Sequence, residues 1–177
     1  MCIRDRTQFE LLMAIRNKIS AAHEAINTIR SLRQQVSEWE HRTKGHNAHE
    51  SVESLSKQIK QQFSTIEEEL LQTKAKDPLD VLDFPVKLNA KFMYLFYVVA
   101  SAHTAPTQQA QHVFADLSTR LDAQLQELQV LIATDVAKLN KLLLDLAIPA
   151  IIPLGQRKDE AERISASISN ESTSTLD

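Results

Sequence analysis

The sequence predicts an all-α protein: an antiparallel four-helix up-down-up-down bundle with two long helices of about 40 residues, an apolar third helix and a disordered polar C-terminal tail. Three observations carry this. Two glycines and five prolines are few for 177 residues, and turns draw on both, so the chain must lie in long elements with few connections. Leu, Ala, Gln, Lys and Glu dominate while aromatics make up only 5%, the composition of long helices. Apolar residues also step by three and four over most of the chain, the period of one helix face. A chain of this length can bury a real core as one domain plus a tail.

The first helix is predicted over residues 7–44. Its stripe runs through Leu12, Ile15, Ile19, Ala22, Ile26 and Ile29, and continues through Leu32, Val36 and Trp39. Gly45 supplies the stop, with Arg42 and Lys44 favourably placed in the last turn. The short loop that follows makes the second helix, over residues 48–74, an antiparallel neighbour. Its stripe is Val52, Leu55, Ile59, Phe63, Ile66 and Leu70, with Lys57, Lys60 and Glu67 to Glu69 assigned to the outer face. Both helices are apolar on one side only and need a partner surface.

Pro78 and Pro85 bound a connector, and Pro85 suits the first turn of the third helix, over residues 86–103. This helix holds the run Phe92 to Ala100, nine consecutive apolar residues. A helix apolar on every side must be surrounded by helices or by lipid. Nine residues fall well short of the ~20 that cross a bilayer, so the run is expected to be the inner helix of the bundle, with no membrane insertion. Thr104 as N-cap and Pro106 in the first turn open the fourth helix, over residues 107–146. Its stripe, from Phe114 through Leu121, Leu128 and Leu139 to Leu146, averages about 3.6 residues per step, nearer a globular bundle than the ~3.5 of a long coiled coil.

The fourth helix ends at Ile148 to Pro153, IPAIIP, where two prolines force extended backbone. Ile148, Ile151 and Ile152 there form a candidate interaction surface, and residues 154–177 read as a polar, Ser/Thr-rich tail. The bundle is thus expected over 7–153. Residues 1–6, MCIRDR, resemble translated sequencing-adapter read-through at the start of metagenomic reading frames, the alternative being an ordinary charged N-terminus. Read as read-through, they make the chain a fragment whose true N-terminus lies upstream.

The chemistry is sparse. Net charge is −3 with both signs interspersed, and no face gathers the basic charge that nucleic acid needs. Cys2 is the only cysteine, which excludes a disulfide framework and a zinc site built on several thiolates. His41, His46 and His49 cluster at the first loop without a metal-binding pattern, and His23, His103 and His112 are isolated. Glu67, Glu68 and Glu69 read as a solvated charge run. Asp116, Asp122 and Asp135 are spread along the fourth helix rather than converging on a cleft. Tyr94 and Tyr97 are expected in the core with their hydroxyls at a bundle edge. With two glycines, a phosphate cradle is nearly excluded, and no nucleophile–base set assembles. The expectation is no catalytic, cofactor-binding or metal residue in this segment.

Three stretches resemble a known family: ELLMAIRNKISAAHEAINTIRSLRQQVSEW (Glu10–Trp39), LDFPVKLNAK (Leu82–Lys91) and VVASAHTAPTQQAQHVFADLSTRLDAQL (Val98–Leu125). They are similar to the C-terminal helical region of large bacterial BNR/sortilin-repeat (Vps10-like) β-propeller proteins that carry the glycosyl-hydrolase name. The likeness covers residues 8–153 and contains no catalytic signature. FMYLFY (Phe92 to Tyr97) and the tail beyond Pro153 depart from the pattern. The resemblance implies a non-catalytic accessory module of a larger exported protein, with the parent's propeller domains, or a second copy in a homodimer, as partners. One alternative is a free-standing bundle acting in protein–protein interaction or self-association. Another is a structural part of a glycoside-hydrolase-type enzyme whose active site lies upstream.

Overall fold

The computed structural model of the protein describes residues 3–46, 48–74, 84–102 and 104–146. Among them there is no strand. Four helical segments pack on one another: α1 (Ile3–Arg42), α2 (His49–Leu70), α3 (Leu88–Ser101) and α4 (Gln108–Leu131), the last continued by a π-helical turn (Ile132–Val136) into α5 (Ala137–Asp145). The chain divides into two units, Met1–Leu143 and Leu144–Asp177. The first holds the bundle; the described residues of the second, 144–146, are only the end of the last helix.

The core follows the stripes. Ile15, Ala22, Ile26, Ile29 and Val36 of α1 are buried, as are Val52, Ile59, Phe63, Ile66 and Leu70 of α2. Leu88, Phe92, Leu95 and Val99 of α3 and Leu117, Leu121, Leu128 and Leu131 of α4 are buried as well, with α4 packed on α1, α2 and α3. Gly45 closes α1 with φ +90°, a left-handed backbone that a side chain disfavours. At the corner, Thr43 Oγ1 donates to the Glu40 carbonyl and lies 3.2 Å from His49 Nδ1.

Ion pairs and hydrogen bonds fix the directions. Arg30 meets Glu67 and Lys60 meets Glu40, so α2 runs antiparallel to α1. Lys87, just before α3, reaches Glu69 near the end of α2 at 3.1 Å. At the other end of α3, Gln8 Nε2 donates to the carbonyls of Val99 and Ala102. Hence α3 continues the direction of α2, and α4 returns alongside α1, where Lys18 meets Asp122 at 2.7 Å.

The directions are therefore up, down, down, up, and not the strict alternation expected from the sequence. The reason is length. Helices of 22 and 14 residues placed end to end match the 40 residues of α1, so α3 lies beyond the end of α2 along α1 and not back beside it.

Boundaries move for local reasons. α1 starts at Ile3, ahead of Thr7, with Arg6 paired to Glu10 one turn on. α2 stops at Leu70 because Leu71 is extended. α3 begins at Leu88, three residues beyond Pro85. The cap of α4 is Thr107, not Thr104: its Oγ1 accepts the Ala110 N–H at 3.1 Å, satisfying one of the free amides of the first turn. Thr107→Ala is expected to cost about 1 kcal/mol in urea unfolding, whereas Thr104→Ala should change the midpoint negligibly; equal effects would reassign the cap.

Candidate interaction surface

The apolar run does not lie inside the bundle. α3 is an edge helix that buries only Leu88, Phe92, Leu95 and Val99 against α1 and α4. Tyr94, Tyr97 and Val98 are 62%, 60% and 62% exposed, which corrects both the inner-helix expectation and the core placement of the two tyrosines. The physical reason is the helical period: positions four or three apart share a face, so a run apolar all round buries one face whenever neighbours stand on one side only.

From Phe92 to Ala102 α3 and its cap carry no charge. Val113 of α4, 46% exposed, faces the same groove. That open groove, about 530 Å³, lies between α3 and α4 and is lined by Tyr94, Leu95, Val98, Ala110, Val113 and Leu117, with Lys91 and Gln109 at its rim. Phe9, beside the Gln8 that holds the end of α3, is also exposed. Solvent-facing tyrosines over an apolar groove have the make-up of an interface core, where aromatics are enriched and charge is depleted. Single exposed apolar residues are ordinary, whereas this cluster is contiguous.

The charged groups serve other ends. Glu67 is buried at 4% exposure and takes Arg30 at 2.7 Å and Arg33 at 2.8 Å, one on each carboxylate oxygen. Burial pushes its carboxyl up, but hydrogen bonds and charge from Arg30 and Arg33 outweigh this and hold it below the usual carboxylate range. Glu67 is therefore no part of a solvated run, unlike the half-exposed Glu68 and Glu69. Its signal lay in its spacing: it stands four residues after Phe63, on the core side, opposite Arg30 and Arg33 at i,i+3 on α1.

Asp135 is the second carboxylate the sequence reading missed. The π-helical turn swings it inward to 8% exposure, where Oδ1 accepts from Lys138 at 2.8 Å and Oδ2 faces Gln58 Nε2 at 3.4 Å. A cavity of about 110 Å³ beside it is lined by Gln62, Glu127 and Thr134, among others. π-turns recur at functional sites; here Asp135 is paired with Lys138, and the Thr134 hydroxyl beside it donates to the Val130 carbonyl.

Asp116 and Asp122 are exposed, as are His23, His41, His46 and His112, while His49 is half-buried at the α1–α2 corner. Among the described residues no three His, Cys, Asp or Glu side chains converge to hold a metal, and no helix is long and apolar enough to cross a membrane. Ile148, Ile151 and Ile152 lie outside the described residues, as do His103 and the tail. In comparisons with known proteins, no family model, no curated protein and no solved structure matches the chain. What can be said of its class rests on the fold and this surface: an all-α helical bundle with an uncharged aromatic face.

Proposed function

We propose that this chain is a non-catalytic helical interaction module that docks a protein partner through the outer face of α3. One observation carries the reading: Tyr94, Tyr97 and Val98 are each about 60% exposed on the uncharged stretch of α3 beside an apolar groove. Burying tyrosine surface in a desolvated pocket is how small interfaces gain most of their energy. The carboxylates that a hydrolytic site would need are tied into ion pairs at Glu67 and Asp135, on different elements, which favours binding over catalysis.

The proposal extends to context. The likeness of Glu10–Trp39, Leu82–Lys91 and Val98–Leu125 to the helical end of exported propeller proteins supports a place in such a chain. It rests on those residues alone. Reading the gene upstream of Met1 decides it: propeller repeats and an export signal support the placement, and a native start codon at Met1 removes it.

A photoreactive phenylalanine at position 97 tests the docking face. Irradiation of cells producing the chain is expected to give adducts of defined mass, and the same group at exposed Gln34 of α1 is expected to give none. Equal or diffuse labelling from both positions would remove α3 as the docking face.

A further inference from the structure

The occupant of this face follows from its charge pattern and from the ends of α3. We infer that the α3 face binds a second copy of this chain, the two α3 helices crossing antiparallel about a two-fold axis near Phe96. This rests on the proposed docking role of α3 and names its partner.

A two-fold contact sets a surface against itself, so any charge at its centre meets its own like. The centre of this face has none. The stripe Lys91, Tyr94, Val98 and Ser101 occupies one line along the helix, at spacings of three and four. Turned about Phe96, it places Tyr94 against the partner copy's Val98, Lys91 against the partner copy's Ser101, and each Tyr97 near the axis. The groove between α3 and α4 then takes a tyrosine from the other copy.

The helix ends supply the complementarity. α3 has no acidic residue in its first turn and no basic residue in its last, and no side chain caps its start. Its macrodipole is thus uncompensated by its own charged side chains at both ends. In the antiparallel pair, Lys91 of each copy lies over the other's last turn, where a cation is favoured. Parallel pairing would set Lys91 against Lys91. Charge selects the antiparallel arrangement.

Area sets the strength. Tyr94 and Tyr97 at 62% and 60% exposure offer together roughly 200–300 Å² per copy. Even with Val98 and Val113 this falls below the ~800 Å² per partner of a standard stable interface. The pair is therefore expected to exchange, with monomer on dilution and dimer at high concentration.

Sedimentation velocity of the purified full chain over a concentration series reads this directly, alongside Tyr97→Glu, Lys91→Glu and Val130→Glu. Val130 is an exposed apolar residue on α4, away from the α3 groove. Wild type is expected to shift from monomer to dimer, and Val130→Glu to behave alike. Tyr97→Glu is expected to weaken association on the order of tenfold or more, with helical circular dichroism unchanged. Lys91→Glu should weaken it less, since it turns a favourable helix-end contact unfavourable. Irradiation of the purified chain with the photoreactive group at position 97 is expected to give an adduct of twice the chain mass.

A chain that stays monomeric throughout, or a dimer indifferent to Tyr97→Glu, overturns the inference. If the purified chain gives no two-chain adduct while cells give one of another mass, the second copy falls and the docking face stands. If neither preparation gives an adduct, both fall.

Discussion

Phe92→Ala is expected to destabilise the bundle by about 3–5 kcal/mol, the cost of removing a fully buried aromatic ring. Phe92 has no solvent exposure and meets Phe114 edge-on, ring centroids 6.4 Å apart, a geometry that adds to simple burial. It is the largest of only four buried side chains that hold α3 to α1 and α4, so little remains to keep the helix docked once it is gone. Phe92→Leu, which refills most of the space, should cost a fraction as much. Tyr94→Ala, two residues along the same apolar run but 62% exposed, should stay within about 0.5 kcal/mol. Urea unfolding of the three variants gives the comparison. If Phe92→Ala and Tyr94→Ala shifted the midpoint equally, α3 would not be seated on the face described.

That contrast shows where sequence reading reached and where it stopped. The stripes of α1 and α2 were legible because each is apolar on one side: Ile15, Ala22, Ile26 and Ile29, then Ile59, Phe63, Ile66 and Leu70, are all buried. α3 has no polar side to point outward, so its period could not say which residues face the core. Only the neighbours decide, and they stand on one side. Chain direction was hidden as well, because a connector's sequence does not state whether it turns back or steps along; the relative lengths of α1, α2 and α3 carried that information.

The π-turn left no trace of its own. Leu128, Ile132 and Val136 step by four twice in succession, but so do Leu117, Leu121 and Leu125 in the regular part of α4, as a 3.6-residue period requires. One extra residue is absorbed in the wide turn, and Leu131, Asp135 and Val136 are buried together. Glu67 was misplaced for a related reason. Within three consecutive glutamates composition gives no reason to separate the first, but its angular position on α2 puts it between the stripe and the arginines of α1. The exposed face of α3 was the least legible part, because it is defined by what fails to cover it.

Glu67→Gln is expected to cost about 2–3 kcal/mol at neutral pH. The carboxylate sits at 4% exposure and accepts from two guanidinium groups, while Arg30 is itself half-exposed. Removing the charge leaves Arg33 with a neutral acceptor in a largely dry setting. The pH dependence has a definite sign. Arg30 and Arg33 hold the folded carboxyl below its ordinary value of 4.5 despite burial. A group depressed on folding stabilises fully above its unfolded value and loses that contribution as pH falls through the folded one. The gap between wild type and Glu67→Gln should therefore be constant from neutral pH down to about pH 5, then close as acid protonates the wild-type side chain into a near-isostere of glutamine. Glu68→Gln and Glu69→Gln, whose lysine partners lie in solvent-screened pairs, should stay within about 1 kcal/mol and lose most of that in high salt. Thermal unfolding of the three variants from neutral to acid pH separates the cases. A Glu67→Gln deficit that persisted unchanged in acid would mean that the side chain acts by packing, and that the Arg30 and Arg33 pairs contribute nothing to holding α2 on α1.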